Sequence, residues 1–265
     1  MSYGTPGYSG LPPAYSPVPT APTAGPSTGE PRDFDEIPDD FTHKVYVTVS
    51  EYDVEVRLAF MRKVYSILFA QLFLSTLTAG FMMYNDSFKD WVQTNIWALI
   101  VSVIASFVFL LLLAWKRRSY PLNYVFLTGF TLVESYMVGS TVTYIDKSLV
   151  LQALILTTGI FIGLTLFTFQ SKYDFSGMAP YLFGALWIIV IIGFIGIFFP
   201  FDKTFDLIIA IGTAILFCGF IIYDTYNIMN RLSPEEYIVA AVDLYLDFVN
   251  LFIAILRILN DLNRD

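Results

Sequence analysis

Apolar residues run along this chain in blocks too long for the helices of a soluble domain. Four stretches carry no charged residue at all: Val64–Asn85, Trp91–Trp115, Ser148–Ser171 and Phe175–Phe201. Each reaches the ~20 residues that cross about 30 Å of hydrocarbon at 1.5 Å per residue. Hydropathy resolves seven spans, at roughly 64–84, 97–115, 124–144, 149–169, 180–199, 207–229 and 237–259. The pattern predicts an all-α polytopic membrane protein with seven transmembrane helices. Pro121, Pro180 and Pro200 fall at span edges, where proline is tolerated. Ser233-Pro234-Glu235-Glu236 reads as an N-cap, a first-position proline and a capping-box glutamate opening the last helix.

The segments outside the spans are of two kinds. Residues 1–49 begin with a stretch that holds eight of the thirteen prolines, then turn acidic through Glu30, Asp33, Asp35, Glu36, Asp39 and Asp40. Such composition predicts a disordered cytosolic tail. Within it, Pro12-Pro13-Ala14-Tyr15 is a PPxY sequence, which suits a WW domain and points to a WW-domain ubiquitin ligase as partner. The chance occurrence of so short a motif in a Pro- and Tyr-rich tail is the competing reading. Residues 50–63 alternate charged and apolar positions, which predicts an amphipathic lead-in lying at the membrane surface. Residues 64–265 form the membrane domain.

Composition and charge narrow the function. Only 14 % of residues are charged and 56 % are apolar, and the net charge is −8. No basic footprint for nucleic acid exists. The single histidine, His43, and the single cysteine, Cys218, exclude His-rich zinc chemistry and an internal disulfide. With no basic n-region or early apolar stretch, no cleaved signal peptide is expected. A cytosolic N-terminus puts Arg57, Arg62, Lys63, Lys116, Arg117, Arg118, Lys172 and Arg231 on one side, against Lys89, Lys147 and Lys203 on the other. Seven full spans then carry Arg257 and Arg264 to the far side, against that bias; a re-entrant last helix would remove the conflict.

Ionisable residues at membrane depth cost at least ~2.5–3.5 kcal/mol on insertion scales, so each is a functional candidate. Glu134 lies in the third span and Asp224 near the end of the sixth. In the seventh, Asp243, Asp247, Asn250 and Arg257 fall within about 80° around a helix and about 21 Å along it. That stripe cannot face lipid, so the last helix is expected at the centre of the bundle. Counting outward from the turn near Leu232 brings Asp224 level with Asp243 and Asp247. Two carboxylates held together in low dielectric do not both ionise; they share a proton. Arg117 or Arg118, after the second span, is the candidate basic partner. The bland alternative is that these acids only tie helices together through hydrogen bonds, and Glu134 and Asp243 are read as pore or helix-contact acids.

Ile222-Tyr223-Asp224-Thr225 and Leu244-Tyr245-Leu246-Asp247-Phe248-Val249-Asn250-Leu251-Phe252 resemble the paired motifs of the transmembrane Bax inhibitor motif family, also called the Lifeguard family. Thr131-Leu132-Val133-Glu134-Ser135 and Lys172-Tyr173-Asp174-Phe175-Ser176 are similar too, and the resemblance, that of a fungal member, covers roughly residues 50–265. It implies a non-enzymatic calcium leak in the endoplasmic reticulum membrane, with vacuole, Golgi and mitochondrion as alternatives. Calcium would be the permeant ion, transient near Asp224 and Asp247, with no cofactor and no resident metal. It further implies a role in calcium homeostasis, the unfolded-protein response and programmed cell death, with death-pathway (Bcl-2-like) proteins as partners. The family's pH-sensing pair maps onto Asp224 and Asp247, and its gating arginine onto Arg117. Asp243 matches no family acid; it is either a third titrating group or a bystander.

Two other classes compete. A non-conducting regulator that binds death proteins would share the same fold, and a proton-coupled transporter would share the membrane carboxylates. An intramembrane aspartyl protease is disfavoured: the Gly-x-Gly-Asp it needs is Leu244-Tyr245-Leu246-Asp247 here.

Overall fold

A computed structural model describes residues 48–263 of the chain. The tail motif Pro12-Pro13-Ala14-Tyr15, the acidic run, His43 and Arg264 lie outside the described residues. The helices are α1 (Val54–Tyr84), α2 (Asp86–Thr94), α3 (Ile96–Lys116), α4 (Leu122–Val142), α5 (Lys147–Gln170), α6 (Ala179–Phe198), α7 (Lys203–Asn230) and α8 (Tyr237–Leu262). All but α2 are long and apolar enough to cross a membrane, which makes seven candidate spans among the described residues. The chain is a multi-pass membrane protein.

The polar stripe decides the order of packing. In α8, 72 % of the most apolar stretch is buried, against 11 % in α3 and 6 % in α6. Helices α7, α5, α1 and α4 pack around α8, while α3 leans on α4 and α6 on α7. Leu244, Tyr245, Leu251 and Leu256 of α8 are fully buried. The outer helices instead expose Phe107 and Leu111 of α3 and Phe194 and Ile197 of α6. An apolar residue gains nothing by leaving lipid for a neighbouring helix, so the most apolar helices stay outside.

Two segments differ from the sequence reading. Residues 54–63 are not a separate surface helix but the first turns of α1, which runs unbroken to Tyr84. No proline interrupts α1 and its first glycine is Gly80, so nothing in the chain breaks the helix where it leaves the hydrocarbon. Residues 86–94, read as part of a loop, form α2. Asn85 caps it by accepting a hydrogen bond from the Phe88 amide at 3.0 Å. Phe81, Phe88, Trp91 and Trp97 form a chain of ring contacts beside it, the composition of a membrane interface. The capping box is present: Glu236 accepts from the Ser233 amide at 3.3 Å, opening the short 3-10 turn that leads into α8.

Helices α1 and α4 approach closely at Gly139. A Cβ built there would lie 2.2 Å from the Met82 sulfur, and Met82 is itself buried. Gly139→Val should therefore lower stability by about 1–3 kcal/mol through overpacking. Gly163→Val, on an open face of α5, should leave it unchanged. Thermal unfolding of the two purified variants in detergent measures both.

Candidate functional site

Helices α7 and α8 form an antiparallel hairpin whose turn is residues 231–236. Counting away from the turn, Asp224 on α7 meets Asp247 on α8, and their carboxyl groups lie within hydrogen-bonding reach. Asp247 is buried, and no hydrogen-bond donor faces its Oδ2 atom among the described residues. The Asn227 side chain donates to Asp224 Oδ1 at 3.4 Å, one turn nearer the hairpin end. Asp243 joins the same cluster: it interacts electrostatically with Asp224 and with Asp247. Two bare carboxylates so close would repel each other. Among the described residues no three His, Cys, Asp or Glu side chains converge as a metal site.

The arginines go elsewhere than expected. Arg117 reaches Glu236 at 3.3 Å, and Arg118 reaches Glu236 at 3.4 Å and Glu235 at 3.6 Å. Arg117 thus pairs at the start of α8. Arg117 ends a helix that packs on α4 at the outside of the bundle. Its side chain is 43 % exposed, so it meets the carboxylate at the start of α8 rather than one buried farther along. Arg257, placed by its spacing on the acidic stripe, forms an ion pair with Asp206 in the first turn of α7, at the opposite end of the hairpin.

The turn is tied down further by the segment that precedes α1. The Val49 amide donates to the Leu232 carbonyl at 2.9 Å, and Ser50 Oγ donates to the Asn230 carbonyl at 3.1 Å. The Val49 side chain is fully buried. The Lys63 ammonium sits 3.3 Å from the centre of the Tyr237 ring. The Lys172–Ser176 motif holds the neighbouring loop. Asp174 accepts from the Ser176 amide at 2.8 Å, and that backbone hydrogen bond keeps its carboxyl below the usual carboxylate range.

Glu134 belongs to a second polar group, deeper in the bundle. It accepts a short hydrogen bond from Ser106 of α3. Beside it, Gln71 donates to Thr131 at 3.1 Å, and Ser75 pairs with Ser135 and with the Tyr245 hydroxyl, each at 2.8 Å. This layer joins α1, α3, α4 and α8. Gln71, Ser75 and Ser106 were not singled out from the sequence. Their signal is faint: Gln71 and Ser75 are one helical turn apart on α1, and Ser106 is one of two serines in the otherwise apolar α3.

A family model described as "Inhibitor of apoptosis-promoting Bax1" matches residues 57–264. The chain is 43 % identical over 236 residues to mouse Protein lifeguard 4, covering 89 % of this chain and 97 % of that one. It is 40 % identical over 260 residues to Bax inhibitor 1 of Schizosaccharomyces pombe, covering 98 % and 93 %. It is 42 % identical over 228 residues to the Golgi anti-apoptotic protein of vaccinia virus, covering 86 % and 95 %.

The Ser75–Tyr245 contact lends itself to a double-mutant cycle. Interhelical hydrogen bonds in membrane proteins average about 0.6 kcal/mol and reach about 1.7 kcal/mol. Ser75→Ala and Tyr245→Phe should each destabilise within that range, and together by less than their sum. Strict additivity in unfolding measurements would show that the two hydroxyls are not coupled.

Proposed function

The chain belongs to the Bax inhibitor (Lifeguard) family, and on that premise we propose that it is a pH-sensitive calcium leak of an internal membrane that restrains programmed cell death. The observation that carries this reading is the meeting of Asp224 and Asp247 across α7 and α8, inside two spans. A shared proton there sets the charge between the two helices. Removing it leaves two facing carboxylates that repel; adding a second leaves a neutral pair. Either change biases the packing of α7 on α8, and a ligand or proton shifts a two-state element by its difference in affinity for the two states. One pKa unit corresponds to about 1.4 kcal/mol, a tenfold change in populations.

In this reading the contacts of Arg117 and Arg118 with Glu235 and Glu236 hold the first turn of α8 while the carboxyl pair titrates. Arg117 acts at the hairpin turn rather than on the acids themselves. Calcium is the permeant ion, passing near Asp224 and Asp247 without a resident site. The cell-death role draws on the names of the relatives, one of which is called anti-apoptotic. The membrane we propose is the endoplasmic reticulum. The viral relative has Golgi in its name, so imaging against markers of both compartments is the relevant localisation experiment.

Calcium flux into liposomes at stepped pH tests the mechanism. Asp224→Asn and Asp247→Asn should each change the leak and flatten its dependence on pH. Glu134→Gln should change the size of the leak more than its pH dependence, because Glu134 belongs to the other polar group. Folded Asp→Asn proteins with the wild-type pH curve would refute the carboxyl-pair gate. No flux from folded wild-type protein that still captures death-pathway proteins would favour a non-conducting regulator.

A further inference from the structure

Helices α1 and α5 both pack on α8 but have no extended contact with each other. The space between them is a cleft of about 260 Å³, backed by α4 and α8 and open at the side of the bundle. It exists because α1 presents small residues along this face: Ser75, Ala79 and Gly80. At Gly80 no atom lies within 4 Å of where a Cβ would stand. The opposite wall is formed by α5 through Leu151, which is exposed. The walls lie within two spans, so the medium at the opening is lipid.

The two ends of the cleft differ. Its inner end is Leu72, near the middle of α1, with Ser75 one turn further out; its outer end is Tyr84 and Lys147, where α1 ends and α5 begins. From Leu72 to Tyr84 is about 18 Å of helix at 1.5 Å per residue. Half of a ~30 Å hydrocarbon core is about 15 Å. The cleft thus reaches through about one leaflet. At its mouth the Lys147 ammonium stands 4.1 Å from the centre of the Tyr84 ring. No carboxylate lies within ion-pair distance of it among the described residues. A lysine held at the interface by an aromatic ring, above a channel lined by apolar and small residues, presents a cation where a phosphate travels and a groove where its acyl chain travels.

We propose that the cleft between α1 and α5 binds one phospholipid from the leaflet opposite the N-terminal end of α1, with an acyl chain between the helices and its phosphate on Lys147. The bound chain reaches Ser75, which pairs with Tyr245, so the lipid adjoins the polar layer that ties α1 to α8. An apolar space of this kind does not hold water.

Native mass spectrometry of the full chain released from detergent, with phospholipid and diacylglycerol of equal chain length supplied in turn, tests this site. Wild-type protein should retain a single phospholipid. Gly80→Phe puts a ring into the cleft from a position where a Cβ meets no atom within 4 Å, and should abolish retention of both lipids. Gly163→Phe, on the open face of α5, should leave retention intact. Lys147→Gln should weaken phospholipid retention about fivefold, the effect of one lysine near a membrane surface. It should leave diacylglycerol retention unchanged, and Lys147→Arg should restore the phospholipid. Unchanged retention in folded Gly80→Phe, equal loss in Gly163→Phe, or indifference of phospholipid to Lys147→Gln would each overturn the assignment.

Discussion

A carboxyl group in hydrocarbon must find its partner inside the protein, and α8 carries two of them. That constraint orders the whole bundle. Asp243 and Asp247 cannot face lipid, so α8 takes the centre and four helices are drawn around it. The acid on α7 then has one place to go, against the acids on α8, and the hairpin turn brings it there. The remaining helices arrange themselves by what they lack. α3 contributes one buried hydroxyl, Ser106, and α6 buries only Leu182. Both lie outermost.

The two polar groups in the bundle differ in chemistry. The layer around Glu134 is built mostly from hydroxyls and one amide, which supply donors as well as acceptors and bond to one another across four helices. Such a network specifies which helix faces which, at a few tenths to about 1.7 kcal/mol per bond. The group around Asp247 is built from carboxyls, with Asn227 as the amide beside them. Carboxyls bring acceptors without donors unless they carry protons. Their mutual contact therefore depends on proton number in a way that the hydroxyl layer does not. The first group reads as a fastening, the second as a group whose state follows its surroundings.

The seven spans and the central position of α8 were legible in the sequence because they rest on strong signals: charge-free runs as long as a bilayer is thick, and a one-sided stripe of charge. The pairing of Asp224 with Asp247 was legible because a short turn fixes the register of a hairpin. What was not legible depends on weaker or longer-range causes. The continuity of α1 through Lys63 follows from the absence of a breaker, and an absence is easily passed over. The hydroxyls of Ser75 and Ser106 look like ordinary tolerated polar residues in a span, and only the meeting of four helices makes them a layer. Arg117 was matched to the wrong acid because position along the chain fixes its depth but not its side of the bundle. Two carboxylates lie nearer the surface, at Glu235 and Glu236, and a helix packed on α4 delivers its end to those.

The placement of ionic contacts along the α7–α8 hairpin bears on where it can respond. At one end Arg257 meets Asp206 with both side chains 39 % exposed; at the other, Arg117 at 43 % exposure meets Glu236. Pairs as open as these contribute about 0–1 kcal/mol each and are weakened by salt. Between them lies the carboxyl cluster, in which Asp247 is buried. Val49 and Ser50, bonded to the turn at Leu232 and Asn230, join the segment before α1 to the end of the hairpin where Arg117 meets Glu236.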